Sequence, residues 1–181
     1  MVFLIPHSSR TRKTIGGSDA PAIMGHCKNR NIITLWREKC GFSEPERIER
    51  KPIVIYGRAM EQPLREAFRH HHPELALGFE ENMWVNDRIP FAHASLNGWL
   101  EDSKGNHGFL ITKTTEITSK ADAEEWTKMP GTYYWQMIHC LMVTEFEFGV
   151  LFAELKIKRA DGSTEWRQVE RRIDRMNVLQ D

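Results

Sequence analysis

The apolar positions divide the chain into a first part with helical spacing and a second part dominated by alternation and short apolar runs. "GGSDAPAIMG" offers Ser18 or Asp19 as an N-cap and predicts a short helix that Gly25 can end. In "NIITLWREKCGF", Ile33, Trp36 and Cys40 fall on one helical face, and Gly41 supplies a stop signal. "IYGRAMEQPLREAFRHHHP" predicts a longer helix closing before Pro73, with Pro63 in its first turn or at a kink. From about residue 80 the pattern changes. "FEENMWVND", "PFAHASLNGWLED" and "HGFLITKTTEI" predict an antiparallel meander, with turn chemistry in "EDSKGNHG". "YYWQMIHCLMVT" predicts a buried helix with Tyr134, Met137, Ile138, Leu141 and Met142 on its core face. "GVLFAELKIKR" and "STEWRQVERRI" predict two strands joined by the "ADG" turn. This order of elements implies an α+β or mixed α/β fold built on a sheet core.

Composition adds bounds. The 181 residues are enough for one domain with its own core, and no Gly/Ser/Pro linker or repeat divides them, so residues 1–181 are read as one domain. No apolar run approaches the roughly 20 residues of a membrane span. "MVFLIP" lacks the charged start and cleavage site of a signal peptide. Cys27, Cys40 and Cys140 are odd in number and far apart, which argues against a disulfide framework or a cysteine zinc site and for a reducing cytoplasm. With 25 basic and 25 acidic residues the chain is neutral, which lowers the expectation of nucleic-acid binding without excluding a local basic patch. Arg10, Arg12 and Lys13 form one basic cluster. Arg167, Arg171, Arg172 and Arg175 form another, read as solvated surface charge.

Polar residues at element ends carry the candidate chemistry. Glu61 follows "YGRAM", Asn97 sits in "SLNGW", Lys113 ends "FLITK", and Gln136 lies near the start of the buried helix. Residues two apart on a strand share a face, so an acid at position 111 would point with Lys113. Phosphodiester hydrolysis uses such a set: carboxylates hold one or two Mg²⁺ ions and a lysine steers the nucleophile.

The order "IGGSDAPAIMG", "YGRAMEQPLREAF", "ASLNGWLED", "FLITKTTE", "YYWQMIHCLMVT" resembles the YqaJ viral recombinase family, from about Arg12 to Leu155. That family is similar to lambda exonuclease and belongs to the PD-(D/E)XK nucleases. The resemblance implies a restriction-endonuclease-like core, a central mixed sheet flanked by helices. It also implies a 5′-to-3′ exonuclease on duplex DNA ends that uses Mg²⁺ or Mn²⁺. Such a protein works with a phage single-strand annealing protein in the cytoplasm of the bacterial host and often forms a ring-shaped trimer. By the same resemblance Arg12 (or Arg10) holds a 5′ phosphate, and Ser18 contacts phosphate. Glu61 is the acidic residue of the helix after the glycine motif, Lys113 the catalytic lysine and Gln136 the glutamine beside it.

Two positions depart from the pattern. The family has aspartate where this chain has Asn97, and glutamate two places before the lysine where this chain has Ile111. Ile111 either replaces the glutamate or marks a residue lost from the strand. The two main metal ligands are therefore altered. Glu116, on the opposite strand face from Lys113, and Glu101, roughly 13 Å along the strand from Asn97, are poor substitutes. Three readings result: an exonuclease with impaired activity, a non-catalytic pseudonuclease that binds DNA or a partner, and a structural or inhibitory phage protein.

Each residue also has a plainer reading. Lys113 is a surface lysine, Gln136 satisfies buried backbone, Ser18 and Asp19 only cap a helix, and Glu61 pairs with Arg58 or Arg65. "HHH" at 70–72 is an exposed helix end, His139 a packed core histidine, and Trp36, Trp84, Trp99 and Trp135 core aromatics.

Overall fold

The computed structural model describes residues 1–6, 13–159 and 161–178. Among them the elements run β1 (Val2–Ile5), α1 (Ala20–Ile23), α2 (Ile32–Lys39), α3 (Pro52–His71), β2 (Ala76–Gly78), β3 (Met83–Asn86), β4 (His93–Ala94), β5 (Gly98–Glu101), β6 (His107–Ile117), α4 (Lys120–Glu125), α5 (Gly131–Thr144), β7 (Phe148–Lys158), β8 (Thr164–Asp174) and α6 (Arg175–Val178). A five-stranded sheet has the order β2-β5-β6-β7-β8, and a three-stranded sheet the order β1-β3-β4. The larger sheet is mixed: β6 and β7 are parallel and its other pairs antiparallel. Parallel neighbours need a crossover, which α4 and α5 supply.

Strand β7 reads "FGVLFAELKIK" because both of its faces are covered, and such a strand carries an almost continuous apolar run. Its alternate residues go to two separate cores. Leu151, Ala153 and Leu155 pack with Phe109 and Ile111 of β6 and with Met137, Cys140 and Leu141 of α5. Phe148, Val150 and Phe152 pack on the other face with Leu110 of β6 and with Leu64 and Phe68 of α3. Helices α5 and α3 thus cover opposite faces of one sheet. Among the described residues, no helix is long and apolar enough to cross a membrane.

Several sequence expectations change here. The meander divides: β3 and β4 pair in the small sheet, whereas β5 and β6 pair in the large one. The α2 stripe faces outward, with Ile33 66% and Trp36 56% exposed and Cys40 exposed, while Leu35 alone on that helix is buried. Trp36 instead lies against Phe42, at 5.2 Å between ring centroids. On α5 the buried set is Met137, His139, Cys140, Leu141, Val143 and Thr144; Met142 is exposed and Tyr134 and Ile138 only partly covered. Trp84 is partly buried against the α5-side core, and Trp99 and Trp135 are partly covered. Pro63 lies inside α3, which begins at Pro52. The hairpin of β7 and β8 forms as expected, pairing from Phe148↔Asp174 to Lys158↔Thr164.

The histidine run ends α3. His70 and His71 are exposed, but His72 Nδ1 lies 3.0 Å from Glu74 and its Nε2 2.7 Å from Glu170 of β8. Burial opposes charging of this ring, yet the two glutamates outweigh it and raise its pKa. A raised folded pKa means that this contribution to stability is fully present below the unfolded value, near 6.5. It is lost as pH rises through the folded value. The melting-temperature advantage of the native chain over His72→Gln is therefore expected to shrink between about pH 6 and pH 8. Thermal unfolding across that range measures it, and a pH-independent difference would contradict the assignment.

Candidate active site

Strands β5 and β6 are paired from Glu101↔His107 to Gly98↔Leu110 and then separate. Asn97 stands at that fork. Its N–H donates to Leu110 O (3.0 Å), and its side-chain Oδ1 accepts the Thr112 N–H (2.9 Å). The side chain thereby takes the place of one ladder bond. Its carbonyl is held by Arg65 of α3, whose Nη1 donates at 2.8 Å and whose guanidinium lies 4.0 Å from the Phe79 ring centroid. Arg65 thus turns toward the fork rather than to Glu61, whose charge acts on Lys113 instead.

Beyond the fork, β6 continues beside β7 from Gly108↔Phe148 to Ile117↔Ile157 in unbroken register. Ile111 and Lys113 therefore share a face, the one turned to α5. Ile111 is 1% exposed and belongs to the apolar cluster with Phe109, Met137 and Cys140. Lys113 is half-buried, with its Nζ 5.8 Å from the centroid of the Tyr133 ring. Burial pushes the Lys113 ammonium below the usual lysine range, and Cys140 and Glu61 act in the opposite direction. Burial also pushes the Cys140 thiol up to about 12, so it stays protonated at neutral pH. Thr112 contributes a buried hydroxyl without a hydrogen-bond partner.

A cleft of about 330 Å³ opens beside Gln136, lined by Gly16, Gly17, Ser18, Asp19, Lys39, His93 and Ser95 as well. The two glycines of "IGGSD" permit its close walls. A Cβ on Gly17 would lie 3.2 Å from both Gln136 Cγ and Cys140 Sγ, and one on Gly16 would lie 2.8 Å from His93 Nε2. Asp19 is the N-cap residue of α1 but makes no capping bond. Its carboxylate accepts from the Gly16 N–H (3.0 Å), Arg30 (2.7 Å) and Lys39 (2.8 Å). Burial would raise its pKa; Lys39, the Gly16 amide and Arg30 prevail and hold it below the usual carboxylate range. Lys39 also donates to Thr14 O, and Arg30 is bound to Glu38. His139 is a buried histidine whose Nε2 donates to His93 O at 2.9 Å, and burial lowers its pKa.

The structure thus gathers Gln136 and Ser18 at one cleft and Glu61, Asn97, Ile111 and Lys113 around the nearby strand fork. Arg10 and Arg12 lie outside the described residues. Lys39, Arg30, His93 and Ser95 had no sequence signal, since each reaches its place through tertiary packing alone, and helical spacing offered Arg65 only as a partner for Glu61. Glu116 faces away, paired with Lys158 (2.7 Å) and Lys156 (3.7 Å), and Glu101 lies 3.8 Å from His107. The basic residues of β8 are engaged locally: Arg167 with Glu165, Arg172 with Asp174, and Arg171 with the Trp126 carbonyl. Arg175, which opens α6, donates to the Glu145 carbonyl. Among the described residues, no three His, Cys, Asp or Glu side chains are grouped to hold a metal ion.

A mixed sheet with a helix on each face, with Asn97 at a strand fork beside the strand that carries Lys113, forms a restriction-endonuclease-like core. Solved structures share it at low identity. An alkaline exonuclease, LHK-Exo from Laribacter hongkongensis, matches with TM-score 0.59 and 13% identity over 94% of this chain and 83% of its own. The same enzyme in complex with dAMP matches with TM-score 0.59 and 14% identity over 94% and 83%. A phage-related exonuclease from Haemophilus somnus 129PT matches with TM-score 0.60 and 12% identity over 93% and 87%. No curated protein matches the chain in sequence. The chain belongs to the YqaJ-like viral recombinase domain family, whose model matches residues 8–147.

Proposed function

We propose that this chain binds duplex DNA ends as a disarmed relative of the exonucleases, with its metal-dependent cleavage lost. Family membership and the exonuclease fold support DNA as the ligand. The observation that carries the loss of cleavage is Ile111, sealed in the apolar core on Lys113's own face where a metal-binding carboxylate is expected. Asn97 offers no charge, and its carbonyl oxygen is already engaged by the Thr112 amide. Glu61 is left as the single carboxylate of the set. These donors do not fit a divalent cation, which needs several oxygen ligands with compensating charge.

Ser18 and Gln136 line a cleft that suits a terminal phosphate, and the resemblance assigns the same phosphate to Arg12 or Arg10. Residues 1–181 act as one domain, a reading supported by neighbours that cover 94% and 93% of the chain. Assembly as a trimer and work with an annealing protein in a bacterial cytoplasm follow from the resemblance, and sedimentation in solution tests the first.

Incubation with a 5′-phosphorylated linear duplex and Mg²⁺ or Mn²⁺ tests the central claim. The duplex is expected to be bound, with affinity falling steeply as salt rises, and not digested. Digestion that disappears in Glu61→Gln would instead establish an active exonuclease with a single-carboxylate site. Absence of binding at low salt would favour a protein that does not use DNA.

A further inference from the structure

Asn97 is followed by Gly98, and no other asparagine in the chain precedes a glycine. An asparagine side chain in that setting is open to attack by the backbone nitrogen of the next residue, because glycine has no side chain to block the approach. The fold needs glycine there for its own reason. A Cβ at position 98 would stand 3.1 Å from the Gly78 carbonyl oxygen and 3.6 Å from Leu77 Cγ, where β2 pairs with β5. Strand β5 begins only at Gly98; the chain bends at Asn97, which is half-buried and stays within reach of water.

The contacts at the fork act on both reacting groups. Arg65 Nη1 donates to the Asn97 backbone carbonyl at 2.8 Å. That carbonyl belongs to the peptide group whose nitrogen is that of Gly98. When the nitrogen loses its proton, the negative charge spreads onto the oxygen that faces the guanidinium. A permanent cation hydrogen-bonded to the charged form favours that form. The Thr112 N–H donates to Asn97 Oδ1 at 2.9 Å. Addition of the Gly98 nitrogen to Cγ places negative charge on this oxygen, and a fixed backbone donor aimed at it stabilises the addition as an oxyanion hole does. The departing nitrogen, Nδ2, has no partner among the described residues to hold it back.

From these contacts we infer that Asn97 is a site of self-catalysed deamidation in the folded chain. The Gly98 nitrogen gives up its proton and bonds to Asn97 Cγ; the Cγ–Nδ2 bond breaks, and the side-chain nitrogen leaves with that proton as ammonia. Water then opens the cyclic imide at one carbonyl or the other, giving aspartate or isoaspartate. Water is the sole co-reactant. Either product adds a negative charge at the fork, and the aspartate is chemically the Asn97→Asp chain. The conversion is independent of DNA binding and gives the chain a site whose charge changes with age.

Peptide mass spectrometry of the purified chain held in mildly alkaline buffer provides the test, with fragmentation that separates aspartate from isoaspartate. The same chain in guanidinium chloride is the unfolded reference. Conversion at Asn97 is expected to be at least as fast in the folded chain as in the unfolded one. It should quicken as pH rises, because the deprotonated nitrogen attacks. Arg65→Met should slow the folded rate about tenfold, the scale of a lost hydrogen bond to a charged group, and leave the unfolded rate unchanged. Arg65→Lys should recover part of that loss. Asn97 that persists in the folded chain overturns the inference, since the β5–β6 ladder then holds Gly98 too rigidly for ring closure. An unchanged folded rate in Arg65→Met overturns it as well. Should Arg65→Met fail to fold, the comparison of folded and unfolded native chain still decides. Every one of these outcomes can be read whether or not the chain binds DNA.

Discussion

Replacing Asn97 with Asp and Ile111 with Glu together is expected to raise Mg²⁺-dependent digestion of a 5′-phosphorylated duplex by at least about a hundredfold, the scale associated with restoring a group that stabilises a transition state. The scaffold is already arranged for the change. Ile111 shares the α5 face of β6 with Lys113 in unbroken register, and Asn97 sits at the fork one step from Thr112. An aspartate there could keep accepting the Thr112 N–H with one oxygen and direct the other toward the opening. The effect is expected to be non-additive. Asn97→Asp alone leaves the apolar face at position 111. Ile111→Glu alone places one carboxylate beside Lys113, where the two would pair with each other. The glutamate also carries a cost, because position 111 is 1% exposed among Phe109, Met137 and Cys140. An unpaired carboxylate there is driven toward its neutral form and destabilises the fold. A second readout follows: Mg²⁺ should raise the melting temperature of the double variant and leave the native chain unchanged, since a ligand stabilises only the state that binds it. A folded double variant with neither metal-dependent stabilisation nor digestion would show that Asn97 and Ile111 are not what separates this chain from an active nuclease.

Long elements with a clean period were legible in the residues, and their packing partners were not. The apolar run of β7 and the turn-bounded repeat of β8 identify a hairpin because local geometry alone dictates it. For α2 the periodicity groups Ile33, Trp36 and Cys40 correctly on one face, but which face meets the core is decided by neighbours, and Leu35 makes the buried contact. The split of the meander depends on three residues, Ser95 to Asn97, over which the chain leaves one sheet and enters another; nothing in "SLN" marks that transfer. At the site, Lys113 and Gln136 could be named because each has a fixed place in a family order. Lys39 and Arg30 could not, since their contact with Asp19 joins residues brought together only by the fold. Arg65 shows the same limit in another form. Helical spacing offers Glu61 as its partner, yet the fork's carbonyl at Asn97 and the Phe79 ring take the guanidinium.

Gly149→Ala is expected to be strongly damaging in the centre of the sheet, costing about 1–3 kcal/mol as an overpacked core. The parallel pair β6–β7 contains a reciprocal arrangement in which each strand's glycine makes room for the other strand's phenylalanine. Gly108 is opposite Phe148, and Phe109 is opposite Gly149. A Cβ on Gly149 would stand 2.3 Å from Phe109 Cζ and 2.9 Å from Met137 Cε, whereas one on Gly108 would stand 2.4 Å from the Phe148 ring. Phe109, Met137 and Phe148 are all fully buried, so none has free space to move into. For a chain of this size each kcal/mol lowers the melting temperature by about 2–4 °C, which thermal unfolding resolves easily. Gly105→Ala is the informative contrast. That glycine has a φ of 80° but nothing within 4 Å of its would-be Cβ, so its cost is conformational alone, about 1 kcal/mol. The Gly149 substitution should also reach the site, because Met137 adjoins Gln136 on α5 and displacement of that helix moves the wall of the cleft. Weaker DNA-end binding below the unfolding temperature is therefore expected for Gly149→Ala and not for Gly105→Ala. If the two variants melt within a degree of the native chain and bind alike, the packing of Phe109 and Met137 is looser than their burial implies, and α5 is not held in place by this contact.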